Sequence, residues 1–157
     1  MDKHDINKNT MNFDIVTGEV INTSKSNIEN EIIFTAIDPL KNTVNLFRNT
    51  FEYHVLGLDG MHENRSYLNL QNNILSIQRA IEKPQYILVD KKHSNRLNYL
   101  AMVELEYEEK KSIKGMHIVT EFSDHTNSKS DVVTIRPQSK VSISTDGRVM
   151  LYDVYKA

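Results

Sequence analysis

The chain has 157 residues, 39% of them hydrophobic and 25% charged, with a formal net charge of −2 and no cysteine. That length suits one domain with one core, and the composition is not that of a disordered chain. It excludes disulfides, thiolate catalysis and cysteine-bound zinc, supplies no global basic field for nucleic acid, and contains no apolar run of the ~20 residues that a bilayer-spanning helix requires.

The opening residues, "MDKHDINKNTMNFD", are polar and mixed in charge. A secretory leader needs a basic start and then an apolar stretch, so a cytoplasmic protein that does not engage a membrane is expected. Residues 1–31 read as a leader in which "FDIVTGEVI" forms a short hairpin turning at Thr17-Gly18, followed by a polar linker. The ordered domain is expected over residues 32–157.

It begins with two β-rich runs, "IIFTAID" and "TVNLF". Asn49, with Glu52 three residues on, offers a capping box for a short helix from Thr50 to about Leu58. Phe51, Val55 and Leu58 would form its buried stripe, with His54 beside it. A second helix is expected in "YLNLQNNILSIQRAIEKP", where Leu70, Ile74, Ile77 and Ile81 recur at helical spacing and Pro84 ends the run. Five strands follow: "QYILVD", "LNYLAMVELEY", "MHIVTEF", "DVVTIR" and "VMLYDVY", separated by the turn-like "EEKKSIKG", "SDHTNSKS" and "STDG". Early helices and late alternating strands predict an α+β fold, an antiparallel β-sheet with two N-terminal helices packed on one face.

The candidate chemistry rests on histidine. His54 lies on the first helix and His62 just past its end, separated by two glycines. Imidazole titrates near neutral pH, so the pair suits acid–base work or phosphate binding; the plainer reading is one partly buried, hydrogen-bonded histidine and one solvent-exposed histidine in a loop. In "GMHIVTEF", His117 and Thr120 are three apart on a strand and so point to opposite faces. If Thr120 faces the core with Ile118, then His117 faces the other way with Val119 and Glu121. His117 then reads as a wet-face histidine or an acid–base group, and Thr120 as a structural hydroxyl or a phosphate donor. Among Lys110, Lys111 and Lys114, set beside Glu108 and Glu109, Lys114 is nearest the histidine strand; the run also reads as a solvated loop. Arg48 and Arg65 bracket the first helix as further phosphate contacts. A metal gathered by His54, His62, His117 and Asp124 or His125 would need a signature that the chain lacks. The phosphate-binding loops of nucleotide hydrolases and the serine-esterase elbow are likewise absent from the sequence.

The order of these features resembles phage and prophage nuclease-like domains of the Barnase–EndoU–colicin–RelE group. Val44 and Leu46 stand as the first strand, Thr50-Phe51 and His54 as a "T-aromatic-x-x-H" helix, and His62 as the second histidine. Pro84-Gln85 stand as a strand entry and Thr120 as the threonine of a late strand. The resemblance covers roughly residues 32 to 155. It implies a metal-independent endoribonuclease of toxin or effector type, with RNA as substrate, no cofactor, and an immunity or regulatory protein as a partner. In it, His54 acts as base or acid with His62 or His117, and Lys114 and Thr120 hold the phosphate. The competing class is a non-catalytic phage accessory module that binds a protein partner, since a scaffold does not confer catalysis.

Overall fold

The structure, a computed structural model, describes residues 13–14, 19–20, 31–57, 65–141 and 148–156. Strands β1 (Phe13–Asp14) and β2 (Glu19–Val20) pair antiparallel as a small separate sheet. The main sheet has seven strands: β3 (Ile32–Ile37), β4 (Thr43–Phe47), β5 (Tyr86–Val89), β6 (Arg96–Tyr107), β7 (Lys110–Phe122), β8 (Lys129–Gln138) and β9 (Met150–Asp153). Their spatial order is β3-β4-β8-β7-β6-β5-β9.

This corrects the expected fold. The sheet is mixed rather than antiparallel, because β4 and β8 run parallel, with Thr43 beside Lys129 and Asn45 beside Asp131. The two strands expected ahead of the helices do form, and they join the same sheet as the later five, so the helices are not N-terminal to the sheet. Strand periodicity cannot distinguish these arrangements, since alternation specifies a face and not a neighbour.

The first helix differs as well. It is α-helical over only Arg48–Thr50 (α1) and then widens into a π turn over Phe51–Val55, closed by Leu56 N–H donating to the Phe51 carbonyl at 2.8 Å. Its N-cap is Phe47 with no side-chain cap, so the expected box at Asn49 does not form. Glu52 instead accepts from Arg48 Nε at 3.4 Å. The π turn rotates Phe51 and Val55 fully into the core. Leu58 and the end of the expected helix lie outside the described residues.

The second helix, α2 (Gln71–Glu82), forms as the apolar spacing predicts, with Ile74, Ile77 and Ile81 buried. They pack on Leu97, Tyr99, Ala101, Val103 and Leu105, the alternate residues of β6. Each such side chain removed from water contributes roughly 1.5–3 kcal/mol. Asn73 clamps helix to strand, its amide donating to the Glu106 carbonyl and accepting from the Glu106 N–H, both at 2.8 Å.

β6 and β7 form one long hairpin from Arg96↔Glu121 to Tyr107↔Lys110. The turn is only Glu108-Glu109, both with positive φ (51° and 65°), as the twist of a two-residue hairpin demands. The expected loop "EEKKSIKG" is therefore mostly strand. At the β3–β4 turn, Asp38 is buried and its carboxylate accepts from Leu40 N, Asn42 N, Asn42 Nδ2 and Tyr99 Oη. Four donors satisfy the buried carboxylate, which pins the turn to β6. No described helix is long and apolar enough to cross a membrane.

Candidate functional site on the face opposite the helices

Successive residues of β7 point to opposite faces of the sheet. Met116, Ile118 and Thr120 point toward the helices. Gly115, His117, Val119 and Glu121 point the other way, by strand alternation. Leu88, Asn98, Leu100 and Val119 are buried on this second face although they lie outside the main core cluster.

The topology accounts for part of this cover. In the sheet β8 and β9 are separated by β7, β6 and β5, and the residues between them are described only at their two ends. The described start of that connection presses on Gly115: a Cβ there would lie 2.6 Å from the Lys140 carbonyl carbon and 2.7 Å from its oxygen. Only glycine fits beneath backbone at that distance. The described end is held to the sheet by Val89 N–H donating to the Val149 carbonyl at 2.9 Å.

His117 is half-buried at the centre of this face. Directly across the strands it neighbours Leu100 on β6 and Arg136 on β8. Its Nε2 lies 2.5 Å from Asn98 Oδ1. Asn98 Nδ2 in turn donates to Asp90 Oδ1 at 2.9 Å. Burial first, and then the charges of Arg136 and Arg148, hold the imidazole pKa below its ordinary value, against a weaker upward pull from Asp90. These surroundings favour the neutral ring. Asp90 is shifted down: burial raises it, but hydrogen bonds from Asn98 and from the Lys92 and His93 amides, with the charge of His93, outweigh that.

The two arginines lack acidic partners among the described residues. Arg136 is exposed and makes no ion pair there. Arg148 is half-buried, and its buried Nε has no hydrogen-bond partner. A buried guanidinium nitrogen without an acceptor is costly unless an anion completes it. The buried Arg148 Nε, with the exposed Arg136 and the imidazole near it, is an arrangement suited to an anion with a proton acceptor beside it.

The sequence-predicted residues divide across the sheet. Among those that the described residues include, His117 alone stands on this face. His54 is exposed on the π turn that packs against β8 on the helix side, with Phe51 and Val55 in the core beside Met116 and Ile118. The sheet thus lies between His54 and His117. His62 falls outside the described residues. Thr120 is fully buried on the helix side, aimed at the Tyr99 hydroxyl that binds Asp38, and does not reach solvent. Lys114 is exposed but shares the parity of Thr120, opposite Val103. Arg48 is buried and paired with Glu31 and Glu52, which makes it structural. Arg65 donates to the Ile135 carbonyl at 3.3 Å, on the helix side of β8.

Among the described residues, no three histidine, aspartate or glutamate side chains stand together as a metal site. Asp124 is spent on its own loop, where bonds from Thr126 and then from Lys129 and Ser128 draw its pKa to about 2. Asp90, Asn98, Arg136 and Arg148 were not singled out from the sequence. Their signal is strand parity combined with cross-strand register, and register is not legible locally.

No protein-family model, curated protein or solved structure matches the chain.

Proposed function

We propose that the chain is a metal-independent endoribonuclease whose chemistry is centred on His117. One observation carries this reading: a half-buried imidazole stands with two guanidinium groups that have no acidic partner among the described residues and that favour its neutral form. RNA carries its own nucleophile, so the protein need supply only a base, charge stabilisation and orientation. A phosphodiester is drawn to Arg136 and Arg148. The imidazole takes the 2′-hydroxyl proton, the 2′-oxygen bonds to phosphorus, the bond to the 5′-oxygen breaks, and the departing oxygen takes a proton from solvent. The products are a 2′,3′-cyclic phosphate and a 5′-hydroxyl end. A positioned base contributes about 10²–10⁴-fold, and the guanidinium groups stabilise charge developing on the phosphorane oxygens. The reaction calls for no cofactor.

This reading keeps the activity implied by the resemblance and moves the base from His54 to His117. A cytoplasmic toxin or effector role, with an immunity or regulatory protein as partner, belongs to the same proposal. The test is incubation with total RNA in a chelator, followed by analysis of the new ends. Cyclic phosphate ends with the wild-type protein and none with Arg148→Gln are expected. Intact RNA, or 3′-hydroxyl ends, would contradict the reading.

A non-catalytic module that binds a protein partner is the second reading. It is favoured by the edge strand β9, where Met150 and Leu151 are exposed beside Val154 and Tyr155. An open apolar edge is a place where a partner strand can pair.

A further inference from the structure

The side chain of Asn98 is 2% exposed and is held at both ends. Its Nδ2 meets Asp90 Oδ1 at 2.9 Å and its Oδ1 meets His117 Nε2 at 2.5 Å. The other Asp90 oxygen is held in place by the N–H groups of Lys92 at 3.0 Å and His93 at 3.1 Å.

These contacts determine where the protons are. An ionised carboxylate only accepts, so the NH₂ end of Asn98 must face Asp90. The amide oxygen then faces the imidazole and also only accepts. His117 Nε2 must therefore carry the hydrogen. A neutral imidazole has one N–H, which leaves the lone pair on Nδ1. Turning the Asn98 amide over would set its oxygen against the Asp90 carboxylate, and the backbone donors keep that carboxylate from moving aside.

We infer that Asp90 and Asn98 are positioning residues that lock His117 in the Nε2–H tautomer and so make Nδ1 the atom that accepts the substrate proton. The catalytic half of this inference rests on the ribonuclease reading; the tautomer is a property of the resting protein. The charged groups around the ring are Arg136 from β8, Arg148 at the approach to β9, and Asp90 at the end of β5. Arg136 and Arg148 discourage protonation of Nδ1 in the free protein. A bound phosphodiester offsets their charge and makes the proton easier to accept.

The tautomer is read directly by long-range ¹H–¹⁵N spectra of histidine-labelled protein, with the His117 signal assigned by its loss in His117→Gln. The wild-type ring is expected to show a protonated Nε2 and an unprotonated Nδ1. Asp90→Asn removes the group that fixes the amide while leaving a half-exposed position able to fold. It should mix the two tautomers and lower kcat for RNA about 10–100-fold with KM little changed. An Nδ1–H ring in the wild type, or an unchanged tautomer in Asp90→Asn, overturns the locking. A mixed tautomer with full kcat overturns the positioning role. If the wild-type protein cuts no RNA, the ribonuclease reading falls, and the spectra still decide the lock.

Discussion

Arg136 on β8 and His117 on β7 are direct cross-strand neighbours on the face opposite α2 and the π turn. Opposed side chains on one face are about 4.5–5.5 Å apart at Cβ, so the guanidinium charge acts on the imidazole continuously. Removing it in Arg136→Gln should raise the His117 pKa toward its ordinary value, followed by an NMR titration of the ring. The same variant should lower RNA cleavage about 10²–10³-fold, the usual scale for losing a group that stabilises transition-state charge. An unmoved titration would mean that the two side chains do not interact in solution.

The depressed pKa of His117 has a consequence for stability. Below pH ~6.5 the unfolded chain takes up a proton on this histidine that the folded protein refuses. The contribution is thus fully present above that pH and is lost as the pH falls through the lower folded-state value. In His117→Gln, whose amide can still donate to Asn98, the fall in thermal midpoint on acidification should be shallower than in the wild type. Parallel curves for the two proteins would show that the ring titrates normally.

Tyr99 is fully buried, and its hydroxyl donates to Asp38 at 2.5 Å. Burial, followed by the bond to Asp38, raises its pKa, so the phenol stays protonated. Tyr99→Phe keeps the ring in the core but takes one of four donors from a buried carboxylate. A loss of about 1–3 kcal/mol in denaturant unfolding is expected. Cleavage should survive, because Tyr99 and Asp38 lie on the helix side of the sheet. A variant of wild-type stability would show that the remaining three donors suffice.

Gly115 tests whether the close approach of the β8–β9 connection supports the site. A Cβ at this position meets backbone atoms of Lys140 at 2.6 and 2.7 Å, and backbone cannot rotate away as a side chain can. Gly115→Ala should cost about 1–3 kcal/mol by overpacking, read in denaturant unfolding, and an effect on anion binding would show that Lys140 and Arg148 are coupled. Gly57→Ala serves as a control in stability only, because that glycine has φ 80° but lies elsewhere.

Much of the strand content was legible because alternation of apolar and polar residues is local. Each of the seven strands of the main sheet overlaps a run that reads as β, although β7 begins at Lys110, well inside the stretch that reads as a turn, and α2 follows from Ile74, Ile77, Ile81 and Pro84. The parallel pairing of β4 with β8 was not legible, since it depends on residues some 85 positions apart meeting in register. The opposite facing of His117 and Thr120 was legible from period two alone. The partners of His117 were not: Asp90, Asn98, Arg136 and Arg148 converge on it only once four strands are laid side by side. The prominence of His54 had a simple origin. A histidine beside a helical apolar stripe looks the same whichever face of the sheet the helix covers.

The most direct test of this account compares His117→Ala with His54→Ala on one defined single-stranded RNA in excess chelator. Initial cleavage rates are measured against the wild type, with thermal midpoints to confirm folding. The account predicts a loss of at least about 10²-fold for His117→Ala and a near-wild-type rate for His54→Ala. Full activity in a folded His117→Ala protein would contradict it.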